Sequence, residues 1–96
     1  MRKITELVTH GKSFIICKDD SGFWGIDGAL IVDGKLTRRV NGIEGHLSET
    51  LQDCLNACHI EAHIEELKAQ GYTFMQAMNE AWLELYGYTP EEYFKS

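Results

Sequence analysis

The sequence has little proline, few cysteines and no long apolar run. The chain has one proline and no tract rich in serine, proline or glutamine, so its composition is not typical of a disordered protein. Three cysteines, an odd number, fit reduced thiols better than a disulfide framework. No apolar run approaches the roughly 20 residues that a membrane span needs, and the start MRKITELVTH is too polar for a signal peptide. We therefore expect a cytoplasmic protein that does not bind membranes.

The sequence also lacks the short motifs of common enzymes. It contains no G-x-x-x-x-G-K-[ST], G-x-G-x-x-G, H-E-x-x-H or G-x-S-x-G. The aspartates Asp19, Asp20, Asp27 and Asp33 could be imagined as metal ligands, but turn chemistry, as in Asp-Asp-Ser-Gly and Asp-Gly, explains them better. We therefore expect a protein that is not an enzyme, with no catalytic, cofactor-binding or metal-binding residues.

What is present suffices for one domain, residues 1–96, because 44% of the 96 residues are hydrophobic. Two β-rich runs, Lys12–Lys18 and Phe23–Ile26, flank the turn sequence DDSG. Asp33-Gly34 separates two further strand-like runs and predicts a tight hairpin. Residues 12–40 are thus predicted to form an antiparallel meander, with residues 4–9 as a further edge strand.

Helical periodicity follows in the second half. It predicts a long helix over residues 48–70, with Ser48 as its N-cap and Gly71 just beyond its end. The capping boxes TFMQ (73–76) and TPEE (89–92) predict a second helix and a short third one. The predicted fold class is α+β: an N-terminal antiparallel β-meander of three to four strands, packed on a long amphipathic helix, followed by the two further helices.

The stretch CLNACHIEAH, residues 54–63, combines two cysteines and two histidines. At about 100° per residue, Cys54 and Cys58 share one helix face, and His59 and His63 lie near the opposite one. These four side chains therefore cannot surround one tetrahedral zinc ion. We expect the cysteines to pack in the core and the histidines to lie on a solvated face. A two-ligand surface metal site, or a pH-sensitive or partner-facing pair, is the alternative for the histidines.

A second apolar stripe lies roughly opposite the cysteines on the same helix. It consists of Ala57, Ile60, Ile64 and Leu67. The predicted helix is longer than the strands it covers, so this stripe must be buried elsewhere. The second helix offers an apolar face of its own: Phe74, Met78, Ala81, Trp82 and Leu85. We expect the two helices to pack together, and a homodimer seam is the alternative.

The net charge of −6 is unevenly distributed. Residues 1–46 carry seven basic residues and six acids, whereas residues 47–96 carry two lysines and nine acids. Acidic helices repel phosphates, so we do not expect this half of the chain to bind nucleic acid. The acids favour a basic protein partner. The alternative is that they only keep the helices soluble. Arg38 and Arg39 on the last predicted strand leave an alternative, a nucleic-acid-binding accessory protein that uses the sheet face.

The segments FIICKDDSGFWGID and NGIEGHLSETLQDCLNACHIEAHIEELKAQG, within residues 13–71, resemble HicB-like antitoxins. The shared features are an apolar strand, an acidic turn, a second strand, a glycine-bearing loop and a long helix. The resemblance implies a compact domain that binds and blocks a small basic toxin acting on RNA. The hairpin segment ALIVDGKLTRRV and the helix after Gly71 depart from that family, and we expect no separate DNA-binding region among residues 72–96.

Together these features predict a small acidic, non-catalytic protein that binds and neutralises a basic nucleic-acid-handling protein. An antitoxin and a phage-type inhibitor, such as an anti-CRISPR, are equally compatible versions. The residues that we expect to contact the partner are Glu66, Glu80, Glu84, His59, His63, Arg38 and Arg39.

Overall fold

A computed structural model describes residues 2–27, 30–32, 35–37 and 46–95. Within these residues the chain forms six strands and then three helices. The strands are β1 Arg2–Thr9, β2 Lys12–Asp19, β3 Gly22–Asp27, β4 Leu30–Val32, β5 Lys35–Thr37 and β6 His46–Ser48, and the helices are α1 Leu51–Ala69, α2 Phe74–Tyr86 and α3 Pro90–Lys95. This order confirms the predicted α+β fold.

The main sheet is antiparallel, with the strand order β1-β2-β3-β6. The edge strand predicted over residues 4–9 is confirmed as part of β1. A two-residue turn joins β1 to β2, and both of its residues, His10 at φ 45° and Gly11 at φ 73°, have positive φ. This is the backbone of a type I′ hairpin turn, which matches the twist of the flanking strands. The turn places His10 at one end of the sheet.

The hairpin predicted around Asp33-Gly34 forms, but it does not extend the main sheet. Strands β4 and β5 pair with each other in a separate two-stranded sheet, and the turn residues 33–34 lie outside the described residues. The neighbour of β3 is instead β6, at residues where we predicted the end of a loop and the start of the helix. The prediction of one meander over residues 12–40 is therefore wrong in its last part.

Local side-chain caps determine where the helices begin. The N-cap of α1 is Thr50, whose Oγ1 accepts a hydrogen bond from the Asp53 amide at 3.1 Å, so the predicted N-cap Ser48 is wrong. The Thr73 box of α2 is confirmed by reciprocal bonds with Gln76 of 3.0 and 3.2 Å. The box at Thr89 caps α3 in the same way. Gly71, at φ +100°, follows the end of α1 as predicted.

The core lies between the main sheet and one face of α1. Phe14 and Ile16 of β2 are fully buried against three small α1 side chains, those of Cys54, Cys58 and Ala62. Gly25 of β3 faces the two cysteines so closely that a Cβ at this position would clash with Cys58 Sγ. Small residues on both sides therefore let the helix lie close to the sheet. The prediction that both cysteines pack in the core is confirmed.

The described helices contain no stretch that is both long and apolar enough to traverse a bilayer. Helix α1 is the longest of them, and it carries charged residues along its length.

Candidate functional site

The second apolar stripe of α1 packs in part against α2, as predicted. Ala77 and Ala81 of α2 are fully buried, and Leu67 of α1 is buried with them in the described structure. These small alanines let the two helices approach closely. The rest of the stripe is only half-buried, because α2 does not cover it. The helix pair therefore leaves part of its apolar surface open.

That open surface is a groove between α1 and α2 with a volume of about 530 Å³. Half-buried and exposed apolar side chains form its floor and walls, and Phe74 at one end is 51% exposed. The apolar lining residues are Ala57, Ile60, Ile64, Phe74, Trp82 and Tyr86. An apolar groove of this size between two helices is a typical binding site for another helix or a small apolar ligand.

Charged residues of α1 edge this groove. Asp53, Glu61 and Glu65 are the acids, and Lys68 is the only basic lining residue among those described. Lys12 of β2 forms ion pairs with two of the acids. Its Nζ lies 2.7 Å from Glu65 Oε2 and 3.6 Å from Glu61 Oε2. Three acids against Lys12 and Lys68 leave the rim with a net excess of one acid.

Aromatic side chains close the end of the groove near α3. Trp82 contacts Tyr86 at a centroid distance of 4.8 Å, and Tyr88 stacks on Tyr86 at 5.7 Å and on Tyr93 at 5.8 Å. Burial, with Tyr88 and Asp53 nearby, raises the pKa of Tyr86. The sequence prediction included Trp82 but missed the tyrosines: Tyr86 lies one turn from Trp82 on α2, and α3 adds Tyr93.

A second cluster, of polar side chains, lies at the other side of the contact between α1 and α2. It consists of three histidines and two glutamates: His10, His59, His63, Glu66 and Glu84. His63 is only 8% exposed, and His59 is half-buried. The prediction that both histidines of α1 lie on a solvated face is therefore wrong. The hairpin turn and α2 cover that face.

The contacts within this cluster are short and specific. His59 Nδ1 shares a hydrogen bond of 2.6 Å with Thr9 Oγ1, and His10 Nδ1 lies 3.2 Å from Glu66 Oε1. His63 Nδ1 lies 3.0 Å from Glu84 Oε2, yet this buried nitrogen makes no hydrogen bond to any described residue. The rings of His10 and His63 stack at 4.1 Å, nearly parallel at 5°. The cluster thus joins the β1–β2 turn to both helices.

The other predicted partner-contacting residues do not join this cluster. Glu80 is exposed on α2 and lines a shallow polar depression with Gln70, Tyr72 and Gln76. Arg38 and Arg39 lie outside the described residues. Of the seven predicted residues, the structure therefore brings together His59, His63, Glu66 and Glu84, and it adds His10. His10 was missed because it lies far away in sequence.

All three cysteines are free and buried. Burial raises the pKa of each thiol, and the pKa of Cys58 rises to about 12. A thiol held protonated in this way is a poor nucleophile and a poor metal ligand. The cysteines are thus packing residues, separate from the histidine cluster.

No protein-family model, curated protein or solved structure matches this chain. The resemblance to HicB-like antitoxins stays a prediction from the motifs alone.

Proposed function

We propose that this protein is a non-catalytic binding protein that holds an amphipathic helical segment of a basic protein partner in the groove between α1 and α2. The observation that supports this proposal is the apolar groove itself, with its acidic rim. An amphipathic helix buries its apolar side chains in such a groove, and lysine or arginine beside them would meet the acids.

The charge distribution supports a basic partner over nucleic acid. Residues 47–96 carry nine acids and two lysines, and part of that excess lies on the groove rim. Phosphates would be repelled there. Arg38 and Arg39, on which the nucleic-acid alternative depends, lie outside the described residues. We therefore retain the protein partner as the proposal.

The finer version of the proposal is that the partner handles nucleic acid and that binding neutralises it in the cytoplasm. An antitoxin and a phage-type inhibitor would both bind a basic protein in the groove, and they differ only in which protein that is. Free thiols, which persist in a reducing compartment, support the location.

The experiment is affinity capture with matched variants. The wild-type chain, Ile64→Asp and Val8→Asp are immobilised and exposed to nuclease-treated lysate from a cell that carries the gene. Ile64 lines the groove, whereas Val8 is a 73% exposed apolar residue on the edge strand. Circular dichroism first verifies that both variants are folded.

We expect one basic protein to bind the wild-type chain and Val8→Asp but not Ile64→Asp. Elution of that protein by moderate salt would support the acidic rim, since exposed ion pairs are screened. Equal capture by all three chains, or capture of acidic proteins alone, would show that the groove is not the binding surface.

A further inference from the structure

We propose that His10, His59 and Glu84 form a binding site for a divalent transition-metal ion, with Zn²⁺ as the first candidate. This site is separate from the groove and does not depend on the function proposed for it. The three residues come from the β1–β2 turn, α1 and α2. Each offers one ligand atom within 4.8 Å of the other two.

Two imidazole nitrogens converge on one carboxylate oxygen. Glu84 Oε1 lies 3.8 Å from His10 Nε2 and 3.7 Å from His59 Nε2. These separations are too long for hydrogen bonds. A tetrahedral zinc ion with bonds of about 2.0–2.1 Å holds its ligand atoms roughly 3.3 Å apart. Bringing Glu84 Oε1 to that separation from both nitrogens takes a shift of about half an ångström, which the half-exposed Glu84 side chain can make.

The remaining ring nitrogens of both ligands are already engaged. His10 Nδ1 lies 3.2 Å from Glu66 Oε1, and His59 Nδ1 lies 2.6 Å from Thr9 Oγ1. A histidine that binds a metal through Nε2 commonly donates its other N–H to a carboxylate or another oxygen, which fixes the tautomer and the ring orientation. Glu66 and Thr9 can provide that support here, which would leave the Nε2 lone pair of each histidine available for the ion.

His63 supplies a second, independent observation beside this site. Its side chain is 10% exposed, and its Nδ1 faces Glu84 Oε2 at 3.0 Å without completing a hydrogen bond to any described residue. Buried polar atoms without a partner are uncommon and call for an explanation. A metal ion on Oε1 would turn the Glu84 carboxylate, and Oε2 could then accept the His63 N–H.

The ring geometry selects His59 over His63 as the second ligand. A metal ion lies in the plane of each imidazole that binds it. The rings of His10 and His63 are stacked and nearly parallel, so their planes meet only far from both side chains. The rings of His10 and His59 are inclined by 63°, and their planes do intersect. We therefore assign His63 as a positioning residue for Glu84.

The donor set indicates the class of metal. Two imidazoles and one carboxylate suit Zn²⁺, Ni²⁺ and Co²⁺, whereas Mg²⁺ prefers oxygen ligands alone. Three protein ligands leave one coordination position for water. The ion would tie the hairpin turn to both helices, so that its binding would stabilise the folded chain.

The test uses the untagged full chain after removal of metals with a chelator. Isothermal titration calorimetry and thermal unfolding are measured with Zn²⁺, Ni²⁺ and Mg²⁺. We expect one Zn²⁺ per chain, a melting temperature that rises with Zn²⁺, and no response to Mg²⁺. Absence of Zn²⁺ binding at about 100 μM free ion would overturn the proposal.

The Zn²⁺ affinities of three single variants test which residues bind the ion. Glu84→Gln and His59→Ala should each weaken Zn²⁺ binding at least tenfold, whereas Glu80→Gln, an exposed glutamate one turn earlier on α2, should leave it unchanged. Glu84 is half-exposed, so its variant should fold normally. Unchanged affinity in both ligand variants would overturn the assignment.

Cobalt distinguishes the histidine cluster from the three cysteines. Co²⁺ bound to nitrogen and oxygen ligands shows visible d–d bands without the thiolate charge-transfer band in the near ultraviolet. We expect that spectrum. A thiolate band would place the ion on cysteine and contradict the site.

Discussion

At the scale of single residues, Gly25 of β3 lies very close to α1. Its missing side chain leaves room for Cys58 Sγ, and Cys54 Sγ would lie 3.3 Å from a Cβ placed there. The two thiols act as small apolar groups at this contact. The small size of each of these three residues is thus required by the other two. Two cysteines one helical turn apart can therefore be packing residues and need not form a reactive or metal-binding site.

The first prediction concerns this contact. Gly25→Ala should lower the free energy of unfolding by about 1–3 kcal/mol, because the added methyl group overpacks the core. The loss should be smaller when Cys58→Ala is also present, since the alanine removes the clashing sulfur atom. Urea denaturation of the two single variants and the double variant measures this coupling. Strictly additive losses would contradict the close approach.

The second prediction concerns the pKa of Cys58, which burial raises from 9.0 to about 12. The neutral thiol is the buried form, so the folded chain holds this proton more tightly than the unfolded chain. Its stabilising effect is therefore complete below about pH 9 and is lost as the pH rises toward 12. We expect the free energy of unfolding to fall in that window, by at most about 1.4 kcal/mol per pH unit for this group.

The matched control for the pH prediction is Cys58→Ala. Lysines and tyrosines also titrate at alkaline pH, and the comparison subtracts their effect. The variant should lose stability less steeply between about pH 9 and 11 in urea denaturation. Equal slopes for the two proteins would show that the thiol does not carry the effect.

At the scale of elements, α1 uses three of its faces. One face packs on the sheet through Cys54 and Cys58, the next meets the β1–β2 turn and α2 through His59 and His63, and a third lines the groove. A single apolar stripe would suit only one of these contacts. Helix α1 therefore contributes side chains to the core, to the histidine cluster and to the open groove.

Elements governed by neighbouring residues were predictable from the sequence. The capping boxes at Thr73 and Thr89 rely on hydrogen bonds between residues three apart, and the DDSG turn is equally local. The histidine cluster rests on contacts between residues 50 and 56 positions apart, Thr9 with His59 and His10 with Glu66. Helical periodicity placed His59 and His63 away from the cysteines, but it could not show what covers them.

The third prediction concerns the N-terminus of α2. Thr73→Ala should lower the free energy of unfolding by about 1 kcal/mol, because the Gln76 amide loses its cap. Thr89→Ala should cost less in global unfolding, because α3 buries none of its described side chains and can fray alone. Equal losses in urea denaturation would contradict this ranking.

At the scale of the whole molecule, acids are divided between internal contacts and the groove. Glu66 and Glu84 contact histidines, and Glu65 pairs with Lys12, so these acids are partly used within the fold. Asp53 edges the groove and makes no ion pair with any other described residue. The acidic second half is thus a structural feature as well as a surface for a basic partner.

The fourth prediction concerns oligomeric state. The groove has an acidic rim, and a second copy would bring another acidic rim against it. Like charges disfavour that pairing, so we expect a monomer in sedimentation velocity at micromolar concentration. A dimer that Ile64→Asp dissociates would mean that a second copy fills the groove.

The most direct test of the central claim, that the groove between α1 and α2 holds a basic partner, is the affinity of the purified partner for three chains. Calorimetry would compare the wild-type chain with Ile64→Asp in the groove and Val8→Asp on the edge strand. We predict that Ile64→Asp weakens binding by about 30-fold or more, as expected of a central contact worth about 2 kcal/mol. Val8→Asp should bind like the wild type, and added salt should weaken both. Wild-type affinity in Ile64→Asp would contradict the claim.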